Sequence, residues 1–154
     1  MRRATVLAAA LTLPGAALAA EPCAIAGLTR QFAAVSEMPQ PVKNFFFYKF
    51  REPPAGIAAR NEPFNATDVI MPGEKKPMRR LIDAGMRDSR WFVWYEHGGL
   101  ALHEHLMLFE LAPSDTNIRI VANVTAGGNN DFCARARDFI AGGGTANMRI
   151  EGEW

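Results

Sequence analysis

Apolar residues change their spacing several times along the chain, and each spacing predicts a different element. From Glu21 to Glu37, Ile25, Leu28, Phe32 and Val35 recur at helical intervals behind Pro22, which predicts a helix. Met38-Pro39-Gln40-Pro41 ends it, since proline supplies no backbone donor and restrains the residue before it. Phe45, Phe46, Phe47, Tyr48 and Phe50 then predict a strand over Lys43–Arg51, covered on both faces because its aromatics do not alternate with polar residues. Between Glu52 and Pro77 the density of proline and glycine excludes long regular elements, leaving Thr67–Met71 as a short edge strand. Irregular segments of this length are uncommon inside a compact domain and are often functional.

The second half predicts an antiparallel meander. Arg79–Met86 is the first strand, with a short helix over 78–86 as the competing assignment, and Arg87-Asp88-Ser89 is the turn after it. Arg90–His97 follows, carrying Trp91, Phe92, Val93, Trp94 and Tyr95. Gly98-Gly99 predicts a two-residue hairpin turn into Leu100–Leu111, because glycine takes positive φ without steric cost. Ile118–Thr125 alternates as a further strand. Asn130–Ala141 returns to helical spacing and stops at Gly142; Thr145–Glu151 is a short last strand. The fold class is therefore α+β: an antiparallel β-meander sheet of about four to six strands, packed by N- and C-terminal helices joined by a disulfide.

Composition changes the picture at the N-terminus. Residues 1–20 combine Arg2 and Arg3, an apolar run over Ala4–Leu13, a Pro14-Gly15 break and Ala17-Leu18-Ala19, the pattern of a cleaved signal peptide. The expected organisation is a leader over 1–20 and one exported α+β domain over 21–154, periplasmic or secreted. Of the chain's 17 basic residues the leader takes Arg2 and Arg3, so 15 remain against 16 acidic ones. That balance does not suit a general nucleic-acid binder, and no apolar run long enough to span a membrane follows the leader. In an oxidising compartment Cys23 and Cys133, the two cysteines of the chain, are expected to form a disulfide.

The chemistry gathers in one hairpin. All three histidines, His97, His103 and His105, fall there beside Glu96 and Glu104. With a two-residue turn, position 97 pairs with 100 and 94 with 103, so Phe92, Trp94, Glu96, His103 and His105 share one face while His97 faces the other. A His-x-His strand offers two imidazoles to one metal, with Glu96 as third ligand or as the carboxylate that fixes a tautomer; zinc is the candidate ion. Against this stands the plain alternative of half-buried sheet histidines packed on aromatic neighbours.

No catalytic nucleophile elbow, Walker loop or dinucleotide fingerprint occurs. Lys75, Lys76, Arg79 and Arg80 form a basic cluster that reads first as a solvated loop. The expected function is a non-enzymatic binding protein for a small molecule or an envelope protein, using the Trp94/His103/His105 face or the 52–77 loop. Two alternatives accompany it: a metal-dependent hydrolase built on Glu96, His103 and His105, and an inhibitor or immunity-type protein that blocks another protein.

Overall fold

The computed structural model of the chain describes residues 22–50, 56–69, 73, 75–125 and 131–144. The leader expected over 1–20 and the strand expected over Thr145–Glu151 lie outside the described residues. Five strands form one antiparallel sheet in sequential order: β1 (Arg30–Phe32), β2 (Arg79–Arg87), β3 (Arg90–His97), β4 (His103–Glu110) and β5 (Arg119–Thr125). Two helices complete the α+β fold, α1 (Gln40–Phe50) and α2 (Phe132–Ala141).

The central strands of the meander are buried on both faces. Phe32, Val42, Phe46, Phe50, Leu81, Trp91, Val93, Tyr95, Met107 and Phe109 make a core on the α1 side. On the α2 side Ile82, Phe92, Trp94, Leu106, Leu108, Val124, Phe132 and Phe139 make a second one. Consecutive strand residues thus serve different cores, which is why β3 reads as an unbroken apolar run. Asp88, with φ of 55°, lets Asp88-Ser89 join β2 to β3 tightly, pairing Arg87 with Arg90. Ile82 is an extra residue in β2: Leu81 pairs with Tyr95 and Asp83 already with Trp94.

The first half departs from its sequence expectation in two places. Lys43–Arg51 is not a strand; α1 occupies Gln40–Phe50. Val42, Phe46 and Phe50 recur every four residues and are its buried face, while Phe47 and Tyr48 point to solvent. The aromatic run suggested a strand by propensity, yet burial follows the helical period. Pro39 and Pro41 belong to the start of this helix instead of ending an earlier one, and the Pro39 carbonyl accepts from the amides of Val42 and Lys43.

The helix expected over Glu21–Glu37 is also absent. Gly27 takes a φ of +79°, β1 pairs with the edge of β2, and Val35–Glu37 forms a single 3-10 turn. The apparent periodicity is divided between cores: Ile25 and Leu28 pack on the α2 side, Phe32 and Val35 on the α1 side. The chain crosses the sheet edge here instead of lying along one face.

Cys23 and Cys133 form the expected disulfide, with Cα atoms 5.3 Å apart, tying the segment before β1 to α2 across 110 residues. Asp131 caps α2 by accepting from the Ala134 amide, and Gly142 closes it in the left-handed region. Buried Asp83 reinforces the same side. Its carboxylate accepts from the Cys23 amide at 2.9 Å, Gln31 Nε2 at 2.9 Å and the Arg60 guanidinium at 2.6 Å. No helix among the described residues is long and apolar enough to cross a membrane.

Candidate metal centre

Gly98 and Gly99 do not make a two-residue turn. His97 pairs with His103, leaving residues 98–102 as a five-residue loop. Contacts with Met78 and with residues 65–67 hold the loop in this form. The Gly98 amide donates to the Met78 carbonyl at 2.7 Å, and Thr67 forms a bridge with Gly99. A Cβ on Gly98 would sit 2.1 Å from the Asn65 carbonyl oxygen, so this position needs glycine for close approach and not for a turn. Gly99 alone of the pair has positive φ.

The longer loop moves the pairing by three residues, an odd number, and so reverses the faces of β4 relative to β3. Tyr95 now lies opposite His105, Glu96 opposite Glu104, and His97 opposite His103. The three histidines therefore share the α1 face, against the expectation that His97 points away. Their ring centroids are 5.0 Å (97 to 103), 5.9 Å (97 to 105) and 4.8 Å (103 to 105) apart. One nitrogen from each ring lies within 4.8 Å of the other two. Around one ion, imidazole nitrogens at 2.0–2.1 Å would lie about 3.4 Å from each other. An ion would have to draw the half-buried His97 and His103 rings toward buried His105 to close that gap.

Each ring has a defined setting. His103 Nδ1 lies 2.8 Å from the Ala101 carbonyl, so Nδ1 donates there and Nε2 is the nitrogen free to meet a ligand. His105 stacks on Tyr95 at 5.0 Å with planes 10° apart, and its Nδ1 faces the Thr125 hydroxyl at 3.5 Å. His97 Nδ1 is buried without a hydrogen-bond partner among the described residues. Burial, helped by the charges of Arg79 and His103, lowers the His97 pKa from 6.5 to about 4. His97 is thus a neutral imidazole at physiological pH, the form that binds metals.

Arg79 borders the cluster. It pairs with His97 across β2 and β3, is 6% exposed, and sets its guanidinium 4.2 Å above the Phe50 ring. Buried Tyr95 lies between His105 and Phe50; burial pushes its phenol pKa up against the pull of Arg79, and its hydroxyl has no hydrogen-bond partner among the described residues.

The other sequence candidates lie elsewhere. Glu96 faces the α2 side and binds Arg80 at 2.6 Å, so it does not join the histidines as a ligand. Trp94 is on that side too: its ring meets Phe132 edge-on at 5.9 Å, and Nε1 donates to Glu104 at 2.9 Å. A face shared by Trp94, His103 and His105 is therefore not formed. The basic cluster is split in the same way, Arg79 facing the histidines and Arg80 facing Glu96. The sequence placed Arg79 in a solvated basic cluster; its burial beside the histidines follows only once the extra residue in β2 is known. Two surface cavities of about 280 and 350 Å³ contain none of the histidines; Trp91 and Leu111 line the larger, at the far end of β3.

Comparison with protein-family models, curated proteins and solved structures found no match.

Proposed function

We propose that this protein is an exported binding protein whose ligand is a divalent transition-metal ion, with zinc as the reference ion, held by His97, His103 and His105. The convergence of one nitrogen from each of these residues within 4.8 Å carries the reading. Neutral His97 supports it, because it presents a lone pair at neutral pH, and the bond from His103 Nδ1 to the Ala101 carbonyl leaves Nε2 as the ligand atom of that ring. Three imidazoles and no thiolate favour zinc, copper or nickel over calcium or magnesium, which prefer oxygen donors. Export to the periplasm or the exterior is part of the proposal, supported by the leader pattern of residues 1–20 and by the Cys23–Cys133 disulfide.

Calorimetric titration of untagged protein with zinc and copper tests this. The expected result is one ion per chain, with His105→Ala weakening affinity by more than the roughly 10–100-fold typical of losing an outer-shell partner. Absence of stoichiometric binding, or equal affinity in His105→Ala, overturns the proposal. Metal-assisted hydrolysis is the second reading, favoured by the three-ligand count, which leaves a tetrahedral ion one position for water. Turnover of an activated ester by zinc-loaded protein, lost in His105→Ala, would support it.

A further inference from the structure

We infer that the larger cavity, at the far end of β3 from the histidines, binds a small zwitterion with an apolar body, of the class of an amino acid or dipeptide. The site is independent of the metal-binding reading, since no histidine lines it.

Its walls are the first argument. About 350 Å³ lie between the start of α1, the β2–β3 turn and the segment that follows β4. That volume falls in the range of small-ligand sites. Pro39, Pro41, Leu111 and Pro113 give it an apolar surface, and proline adds no amide donor. Backbone bonds brace the segment after β4. The Leu111 amide donates to the Ser89 carbonyl at 2.8 Å, and the Asp115 amide to the Ala112 carbonyl at 2.9 Å.

Trp91 is the second argument. Phe32 stacks on its ring at 5.4 Å from the β1 side, and Phe109 at 5.7 Å from β4, with planes 16° and 13° from parallel. With both faces covered, the indole meets the cavity by its edge, and the edge carries Nε1–H. This buried donor has no hydrogen-bond partner among the described residues. An unmet buried donor is costly, and an oxygen acceptor delivered through the cavity removes that cost.

Charge decides the class of ligand. Arg30, Asp88 and Asp115 all line the cavity. Arg30 opens β1 and Asp115 lies beyond β4, so opposite charges approach from opposite sides, with Asp88 at the turn between. Among the described residues Arg30 pairs with neither acid. Its guanidinium lies 5.0 Å over the Phe32 ring, and the ion-pair partner of Asp88 is Arg87, at 3.8 Å. A ligand with a carboxylate for Arg30 and the indole, and an ammonium for the acids, satisfies both signs; a singly charged one satisfies half.

NMR of the nitrogen-labelled protein reads this at the Trp91 indole signal, assigned by its proximity to Phe32 and Phe109. The titrants are leucine, leucyl-leucine, N-acetyl-leucine and leucinamide. The expected result is a saturable downfield shift with leucine or leucyl-leucine, and affinity lower by about fivefold or more for the two singly charged analogues. Arg30→Gln should abolish the preference for leucine over leucinamide. Asp88→Asn combined with Asp115→Asn should abolish the preference over N-acetyl-leucine. All three residues are exposed, so these substitutions leave the core intact. Tighter leucine supports an amino-acid ligand, and tighter leucyl-leucine a short peptide. Equal affinity for all four titrants overturns the zwitterion class, and binding that leaves the Trp91 signal unmoved overturns the part of the indole. No response to any titrant overturns the site. Loss of the response in His105→Ala would place the titrants on the histidines and overturn it as well.

Discussion

The two faces of the sheet treat their polar groups in opposite ways. On the α2 side the acids are paired: Asp83 is shared among Cys23, Gln31 and Arg60, Glu96 holds Arg80, and Glu104 holds Trp94. A disulfide closes that side. The α1 side instead gathers three imidazoles, a guanidinium and a phenol at one end of its core, and neither the His97 Nδ1 nor the Tyr95 hydroxyl is hydrogen-bonded among the described residues. Buried polar groups without hydrogen bonds cost stability, so satisfied groups suit a scaffold and unsatisfied ones suit a place where a ligand completes the set.

This contrast can be broken most severely through the scaffold side. Cys133→Ala should cost roughly 4–5 kcal/mol of stability, because the bridge closes a very long loop in the unfolded chain. Chemical denaturation of the two proteins measures it, and metal affinity per folded molecule should stay unchanged. Asp83→Ala comes next, at roughly 3 kcal/mol, since the Cys23 amide loses its buried acceptor and Arg60 its ion pair. An effect below about 1 kcal/mol would show that water replaces the carboxylate without loss.

On the histidine side, Gly98→Ala should cost roughly 1–3 kcal/mol by forcing the loop off the Asn65 carbonyl. Unlike the scaffold variants, it should also weaken metal binding, because His97 and His103 flank that loop. A pH dependence follows on a smaller scale. His97 stays neutral in the fold down to about pH 4, whereas the unfolded chain protonates it below about 6.5. The unfolded state then holds more protons, so metal-free protein loses stability as pH falls through that window. Denaturation midpoints between pH 7 and pH 4 check this, and His97→Gln should flatten the slope. Arg79 and His103 are the charged and titratable neighbours that act on His97 here. Smallest of all, Glu96→Gln should cost about 1 kcal/mol or less and leave metal affinity unchanged, since its partner is Arg80.

Legibility in the sequence followed the range of the interactions involved. Arg90–His97 and the α2 region could be read because a run of strand-forming aromatic and branched residues, helical spacing and Gly142 are local signals. The disulfide followed from having two cysteines and an export pattern. The first helix could not be read locally: five aromatics favour a strand by propensity, and only packing on the sheet selects Val42, Phe46 and Phe50. Residues 21–37 misled for a related reason, since their apolar positions serve two cores at once. As for the site, its residues were visible but their convergence was not. Gly98-Gly99 carries the signature of a tight turn, while the contact that decides its conformation comes from Asn65 and Ala66, over thirty residues away.

The extra residue in β2 has a consequence for the same site. Counted back from Asp83 in an unbroken ladder, Arg80 would fall opposite His97, and Arg79 would pass to the other side of the sheet. Ile82 inverts that parity. It acts as a sorting device for two adjacent, chemically identical charges, sending one to the imidazoles and the other to a carboxylate. A β2 that took Ile82 into the ladder would exchange the electrostatic partners of both arginines without altering either of them, whereas one that lost the residue would keep both pairings.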